Sequence, residues 1–176
     1  MSALGASEHP AWTGPPVLAR QLLPLTTTQL DAVMAIETAA YDFPWTRGNF
    51  IDSLAAGYPA KVLWDERRRL LGYYVAMTGA GEMHLLNITV APAAQSRGHA
   101  RHMLADLIAL CRQQQVASLW LEVRLANARA RAIYARLGFA EVGLRRAYYP
   151  APGGLREDAA VLSLAIQSGA ARDDLD

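Results

Sequence analysis

The chain has one cysteine, Cys111, so no intramolecular disulfide can form, and this composition fits the reducing interior of a cell and a cytoplasmic protein. No apolar run approaches the ~18 residues that a membrane-spanning helix needs. The N-terminus has no basic head followed by an apolar segment, so no secretion signal is expected. A strong charge imbalance is also lacking. The net charge is only +1, and neither a nucleic acid nor a membrane surface is demanded as a partner. Two nucleotide signatures are absent: Gly-x-x-x-x-Gly-Lys-Ser/Thr, and Gly-x-Gly-x-x-Gly after a first strand. This argues against a Walker-type triphosphate site and against a dinucleotide fold. No Ser–His–Asp set is recognisable. His99, His102 and Asp106 can share one helix face, but no second cluster completes a metal site, and no metal is expected.

What is present is a chain of 176 residues with 52% apolar content, enough for one domain with a sizeable core. Residues 1–16, with Gly5, Pro10, Gly14, Pro15 and Pro16, read as a loose leader. Residues 17–166 read as the domain and 167–176 as a frayed tail. Strands are predicted at Val17–Leu25, Ala60–Trp64, Leu70–Thr78, Glu82–Val90, Ala117–Val123, Phe139–Arg146 and Asp158–Ala165. Four helices are predicted. The first is capped by Thr27 or Thr28 and runs through Ala39, with Leu30, Val33, Met34 and Glu37 at helical spacing. The second follows Thr46 to about Ala55. The third follows Gly98 and buries Met103, Leu104, Leu107, Ile108 and Cys111. The fourth is capped by Asn127 and ends at Gly138. Tyr148–Glu157 reads as a Pro- and Gly-rich loop. The order β-α-α-β-β-β-α-β-α-β-β implies a mixed sheet flanked by helices, an α/β or α+β fold.

The densest chemistry lies in Leu86–Arg101. An apolar, β-branched run ends at Pro92, a short loop follows, and Gln95-Ser96-Arg97-Gly98-His99-Ala100 opens a helix. Strand, tight turn and helix start together aim unpaired backbone N–H groups at one point, backed by the positive end of the helix dipole. Such a turn binds phosphate, and the small residues Gly98 and Ala100 let a ligand approach the backbone. Between Arg97 and Arg146 nine arginines face three acids, Asp106, Glu122 and Glu141. This excess suits an anionic ligand, or a solvated arginine-rich surface.

Two further residues carry reactive groups. Alternation in Ala117–Val123 puts Leu119, Leu121 and Val123 on one face and Ser118, Trp120 and Glu122 on the other. Glu122 is either half of an ion pair, with Arg124 or another arginine, or a carboxylate whose pKa partial burial raises towards that of a working base. Tyr134 falls on the apolar stripe of the fourth helix with Ala130, Ile133 and Leu137. Its spacing fits a core aromatic, and a phenol with pKa near 10 also suits a proton donor at neutral pH.

The motifs Gln95-Ser-Arg-Gly98-His-Ala100, Phe43-Pro44-Trp45-Thr46, Leu121-Glu122-Val123-Arg124-x-x-Asn127, Tyr148-Tyr149-Pro150 and Arg156-Glu157-Asp158-Ala159 occur in one order over residues 17–166. In them the chain resembles the GNAT N-acetyltransferases, and within these the ribosomal-protein-alanine (RimI-like) branch. Ala100 stands where a second glycine is commoner. The resemblance implies a mostly antiparallel seven-stranded sheet with about four helices, and acetyl-CoA as cosubstrate. It places Ser96, Arg97, Gly98, His99, Ala100 and Arg101 on the pyrophosphate. It puts Ile88, Thr89 and Val90 along the pantetheine arm, with the Val90 N–H on the thioester oxygen, and sets Asn127 near the cofactor. It makes Glu122 the proton acceptor and Tyr134 the donor to the departing thiolate. It implies direct transfer to the N-terminal amine of a small-subunit ribosomal protein, most naturally an alanine, by a monomer with no nucleic-acid or membrane contact. The same residues also fit a family member that acetylates a lysine, a polyamine or a small amine, or a non-catalytic coenzyme A-binding module.

Overall fold

Period-two alternation of apolar residues and four helical stripes build one sheet with helices on both faces. The computed structural model describes residues 20–167; the expected leader, Val17–Ala19 and residues 168–176 lie outside them. The elements are β1 (Gln21–Pro24), α1 (Leu30–Ala40), α2 (Arg47–Ala55), β2 (Ala60–Trp64), β3 (Leu70–Gly79), β4 (Glu82–Val90), α3 (His99–Gln113), β5 (Ser118–Arg124), α4 (Ala128–Arg136), β6 (Ala140–Pro150) and β7 (Arg156–Ala165). The seven strands lie in the order β1-β2-β3-β4-β5-β7-β6, and β4–β5 is the parallel pair among antiparallel neighbours.

One face of the sheet is covered by α1 and α2, where Leu30, Val33 and Phe50 pack with Val62, Tyr73 and Val75. The other face is covered by α3 and α4. There Met103, Leu104, Leu107 and Cys111 meet Tyr74, Ala76, Leu85, Leu119 and Leu121, and Tyr134 joins the same cluster. Truncating a buried side chain of this kind, such as Leu107, to alanine costs about 2–5 kcal/mol.

Besides shifts of a residue or more at several ends, such as the first strand running only over Gln21–Pro24 in the described residues, two features differ from the sequence reading. The first helix is not capped by Thr27 or Thr28. Thr26 caps instead, donating its N–H to Gln29 Oε1 at 2.6 Å, and a 3₁₀ turn over Thr27–Gln29 precedes α1. The segment Tyr148–Glu157 is not all loop. β6 continues to Pro150, and β7 begins at Arg156. A bulge hides this continuation, because β6 has two more residues than β7 between the pairs Arg145–Ala159 and Tyr149–Glu157. Ala147 sits in it at φ +49. Side chains of β7 clamp the bulge: Asp158 accepts the Ala147 N–H at 2.7 Å, and Arg156 donates to the carbonyls of Ala147 and Tyr148.

The feature that opens the site is in the middle of the sheet. β4 pairs with β5 only from Glu82–Ser118 to Leu85–Leu121. Against β3 the pairing of β4 then skips Leu86, a bulge between Val75–Asn87 and Ala76–Leu85. Beyond it β4 follows β3 up to Val90, and its other edge is left without a strand partner.

Candidate active site

The unpaired stretch of β4 has a defined hydrogen-bonding direction. The Ala91 N–H donates to Leu71 at 2.9 Å, towards β3. Peptide groups alternate along a strand, so those of Val90 and Ile88 point the other way, into the gap beside β5. Two side chains approach from that side: Gln95 donates to the Val90 carbonyl at 3.3 Å, and the Tyr41 hydroxyl to the Ile88 carbonyl at 3.4 Å. Thr89 points to the α1 face, where its hydroxyl meets Tyr41 and Asn87.

At the end of β4 the chain turns through Gln95–Gly98 into α3. Ser96 and Gly98 both have positive φ, at +66 and +77. Gly98 is the N-cap and supplies no side chain to the first amides of α3. Among the described residues no atom beyond the neighbouring backbone lies within 4 Å of the position a Cβ would take there, so the turn is open as well as left-handed. The Arg129 guanidinium on α4 braces it by donating to Gln95 Oε1 and Ser96 Oγ. Among the described residues Arg97 and Arg101 form no ion pair, which leaves two cations flanking free amides. His99 is buried, with its Nδ1 3.1 Å from the Arg20 guanidinium.

A cavity of about 320 Å3 fills the gap between β4 and β5. Ile88, Glu122, Asn127 and Tyr134 line it together, with Tyr41, Phe43, Trp45, Tyr149 and Pro150 at its walls. Thr89, Val90 and the turn over residues 96–101 lie outside this lining, the turn being at the start of α3. A larger recess of about 590 Å3 beside Arg20, Trp64 and Arg68 holds none of the cavity residues.

Glu122 projects from β5 on the face it shares with Trp120, and its side chain is only 7% exposed. Its two oxygens differ. Oε2 lies 2.6 Å from His84 Nε2 on β4. Oε1 lies 3.0 Å from Arg145 Nε on β6, yet among the described residues it is buried with no hydrogen-bond partner, because the N–H is not aligned with it. Arg124, the first candidate for an ion pair, is instead bound to Glu157 at 2.9 Å and stacked on Tyr149. The expected rise in the Glu122 pKa does not occur. Burial, the largest single influence, pushes it up, but the His84 hydrogen bond and the charges of His84 and Arg145 together hold it below the ordinary carboxylate value.

Tyr134 is buried, edge-on to Phe139, on the α4 stripe as its spacing predicts. Burial, then the neighbouring Tyr41 and Tyr149, push its phenol above the ordinary value, so it carries its proton at neutral pH. Asn127 caps α4, accepting the Ala130 N–H at 3.1 Å, while also lining the cavity. The Tyr149 hydroxyl donates to the Glu122 carbonyl at 3.0 Å, which ties the β6 bulge to the strand that carries Glu122.

A second carboxylate, Glu37, was visible in the sequence only as a member of the α1 stripe. It is 1% exposed at the cavity wall. It accepts the Trp45 N–H at 2.8 Å, the Tyr73 hydroxyl and the Asn87 amide. It therefore holds the Phe43–Trp45 wall against β3 and β4.

Comparison with known proteins agrees with this geometry. The profile described as the Acetyltransferase (GNAT) family matches residues 30–139. The [ribosomal protein bS18]-alanine N-acetyltransferase of Escherichia coli K12 is 39% identical over 142 residues, 81% of this chain and 95% of that protein. The protein of the same name from Haemophilus ducreyi is 34% identical over 129 residues, 73% of this chain and 88% of its own length. The crystal structure of the E. coli ribosomal-protein-S18-alanine N-acetyltransferase superposes with a TM-score of 0.79 at 36% identity, covering 90% of this chain and 99% of that one. A parted β4–β5 pair, an open glycine turn at the start of α3 and these likenesses lead to one conclusion: the chain belongs to the acetyltransferase (GNAT) family.

Proposed function

We propose that the protein transfers the acetyl group of acetyl-CoA to the N-terminal amine, most naturally an alanine, of a small-subunit ribosomal protein in the cytoplasm. The observation that carries this reading is the shared cavity: Glu122 and Tyr134 face one space, and the free edge of β4 forms its side. The relatives named above give the acceptor class.

The chain fits the cosubstrate at two places. Amides of Ser96–Arg101 at the open turn would hold the pyrophosphate, with Arg97 and Arg101 beside it. The peptide groups of Ile88 and Val90, turned into the gap, would pair with the pantetheine arm as an added strand, and the Val90 N–H would hold the thioester oxygen. Acetyl-CoA, when bound, supplies the thioester carbonyl that the amine attacks. Glu122 is the base. An α-amine has a pKa of about 8 and is mostly protonated at neutral pH, so a proton must leave before its nitrogen can attack. Glu122 Oε1 is a buried acceptor with an uncommitted lone pair, and it takes that proton. Tyr134, held neutral by burial, gives its proton to the departing sulfur. Asn127 caps the start of α4, the helix that carries Tyr134.

The test is mass spectrometry of an Ala-initiated peptide and of small-subunit ribosomal proteins after incubation with the protein and acetyl-CoA, with free polyamine and lysine in parallel. The expected result is one acetyl group at the peptide N-terminus, formed much faster than on the small amines. Faster transfer to the small amines would overturn the acceptor assignment. Absence of thiol release with every amine would overturn the catalytic reading.

A further inference from the structure

We propose that Arg145 is a specificity residue that keeps the base from activating water until an ammonium group arrives. The inference rests on the reading of Glu122 as the base. Its starting point is the asymmetry of that carboxylate. Oε2 is committed to His84. Oε1 is buried and, among the described residues, has no hydrogen bond; the cation nearest to it is Arg145, with Nε at 3.0 Å. A buried acceptor left in this state is costly, so a cation close by holds it in place. Arg145 supplies the charge and leaves the directional bond unmade.

An acceptor ammonium can supply both. Its three N–H bonds radiate from a compact charge, so one of them can align on Oε1 where the Arg145 Nε–H does not. Water is neutral and cannot replace the charge. The site therefore distinguishes an amine from water before any chemistry occurs.

Arg145 is built to give way. Its side chain is 52% exposed on β6, at the edge of the sheet. It directly precedes the bulge that carries Ala147 and Tyr148. Its guanidinium already lies 5.2 Å from the centre of the Tyr148 ring, which offers a cation–π resting place outside the cavity. His84, at 28% exposed, holds Oε2 throughout, so the carboxylate keeps its direction when Arg145 leaves.

The reaction that Arg145 suppresses is hydrolysis. Water oxygen would bond to the thioester carbon, the carbon–sulfur bond would break, one water proton would pass to Glu122 Oε1, Tyr134 would protonate the departing sulfur, and the second water proton would leave as the acetic acid ionises and restore the phenol. Acetate and coenzyme A would result, with no acceptor modified.

The experiment measures thiol release from acetyl-CoA without acceptor, and acetyl transfer to an Ala-initiated peptide with it. The proteins are wild type, Arg145→Gln, Arg145→Lys, Glu122→Gln and the Arg145→Gln/Glu122→Gln double variant. Arg145→Gln should raise acceptor-free thiol release by about 10²-fold, the lower end of the range for a freed general base, and should lower the KM for the peptide. Arg145→Lys, which keeps the charge, should leave acceptor-free release near wild type and raise the KM for the peptide, because its ammonium can itself align an N–H on Oε1. The double variant should lose the gain. Unchanged acceptor-free release in Arg145→Gln, or a gain that survives in the double variant, would overturn the role of Arg145 and leave the base assignment standing. Full transfer activity in Glu122→Gln would overturn both.

Discussion

Replacing Gly98 with alanine separates the conformational demand of the α3 turn from its use as a binding surface. Gly98 sits at φ +77 and ψ 12, and the space where a Cβ would stand is empty to 4 Å. The folded protein therefore meets no clash, only the left-handed backbone, which costs a non-glycine residue about 1–2 kcal/mol. Alanine tolerates such a conformation in this fold: Ala80 and Ala147 hold φ of +51 and +49. For a chain of this size each kcal/mol lowers Tm by about 2–4 °C, so a fall of roughly 2–8 °C is expected. The added methyl takes up room in the open turn that carries the free amides. Loss of acetyl-CoA affinity should reach at least about tenfold, or ~1.4 kcal/mol. Gly153→Ala is the matched control. Gly153 has φ +71 and an equally empty Cβ position, but lies on the β6–β7 connection. It should show a similar fall in Tm and no change in acetyl-CoA affinity. Calorimetric unfolding and titration calorimetry read the two effects separately. If both variants bind acetyl-CoA as the wild type does, the turn is not the pyrophosphate site.

Tyr134→Phe should lower kcat by about 10²-fold while acetyl-CoA still binds, measured by steady-state transfer and titration calorimetry; an unchanged kcat would remove the tyrosine from the proton-donor role. Asn127→Ala should destabilise the protein by about 0.5–2 kcal/mol through loss of the α4 cap, read by urea unfolding. Glu122→Gln should flatten the dependence of stability on acid. The folded pKa of Glu122 lies below its ordinary value of 4.5, so its contribution is complete above that value and is lost as pH falls through the folded pKa. Melting curves between neutral and strongly acid pH should thus converge for variant and wild type at the acid end. Transfer by the wild type should rise with pH towards about 8, the pKa of the acceptor amine, because Glu122 is already ionised.

Local chemistry was legible where a residue's own neighbours decide its place. The strands over 60–64 and 82–90, the Thr46 and Asn127 caps and the glycine turn follow from patterns within a few residues. The Glu122 face followed from alternation alone. What was not legible depends on pairing across the sheet. His84 reaches Glu122 because the parallel register sets it opposite Trp120. Arg145 arrives from the far edge strand, on the other side of β7. These partners lower a pKa that burial alone would raise, so the sign of the shift could not be read from β5 itself. The Leu86 bulge opens the sheet without a glycine or proline to announce it. The β6 bulge interrupts alternation and made a continuing strand look like a loop. Glu37 did leave a signal, a carboxylate on an apolar helical stripe, but its partners on β3 and β4 lie far away in sequence.

Amide-resolved NMR during titration with coenzyme A examines the cofactor path residue by residue. Large shifts are expected at Ser96–Arg101 and at Ile88 and Val90, with a smaller response at Glu122 and none at Gly153–Leu155. Saturable binding that leaves the amides of the α3 turn and the free β4 edge unmoved would contradict the account.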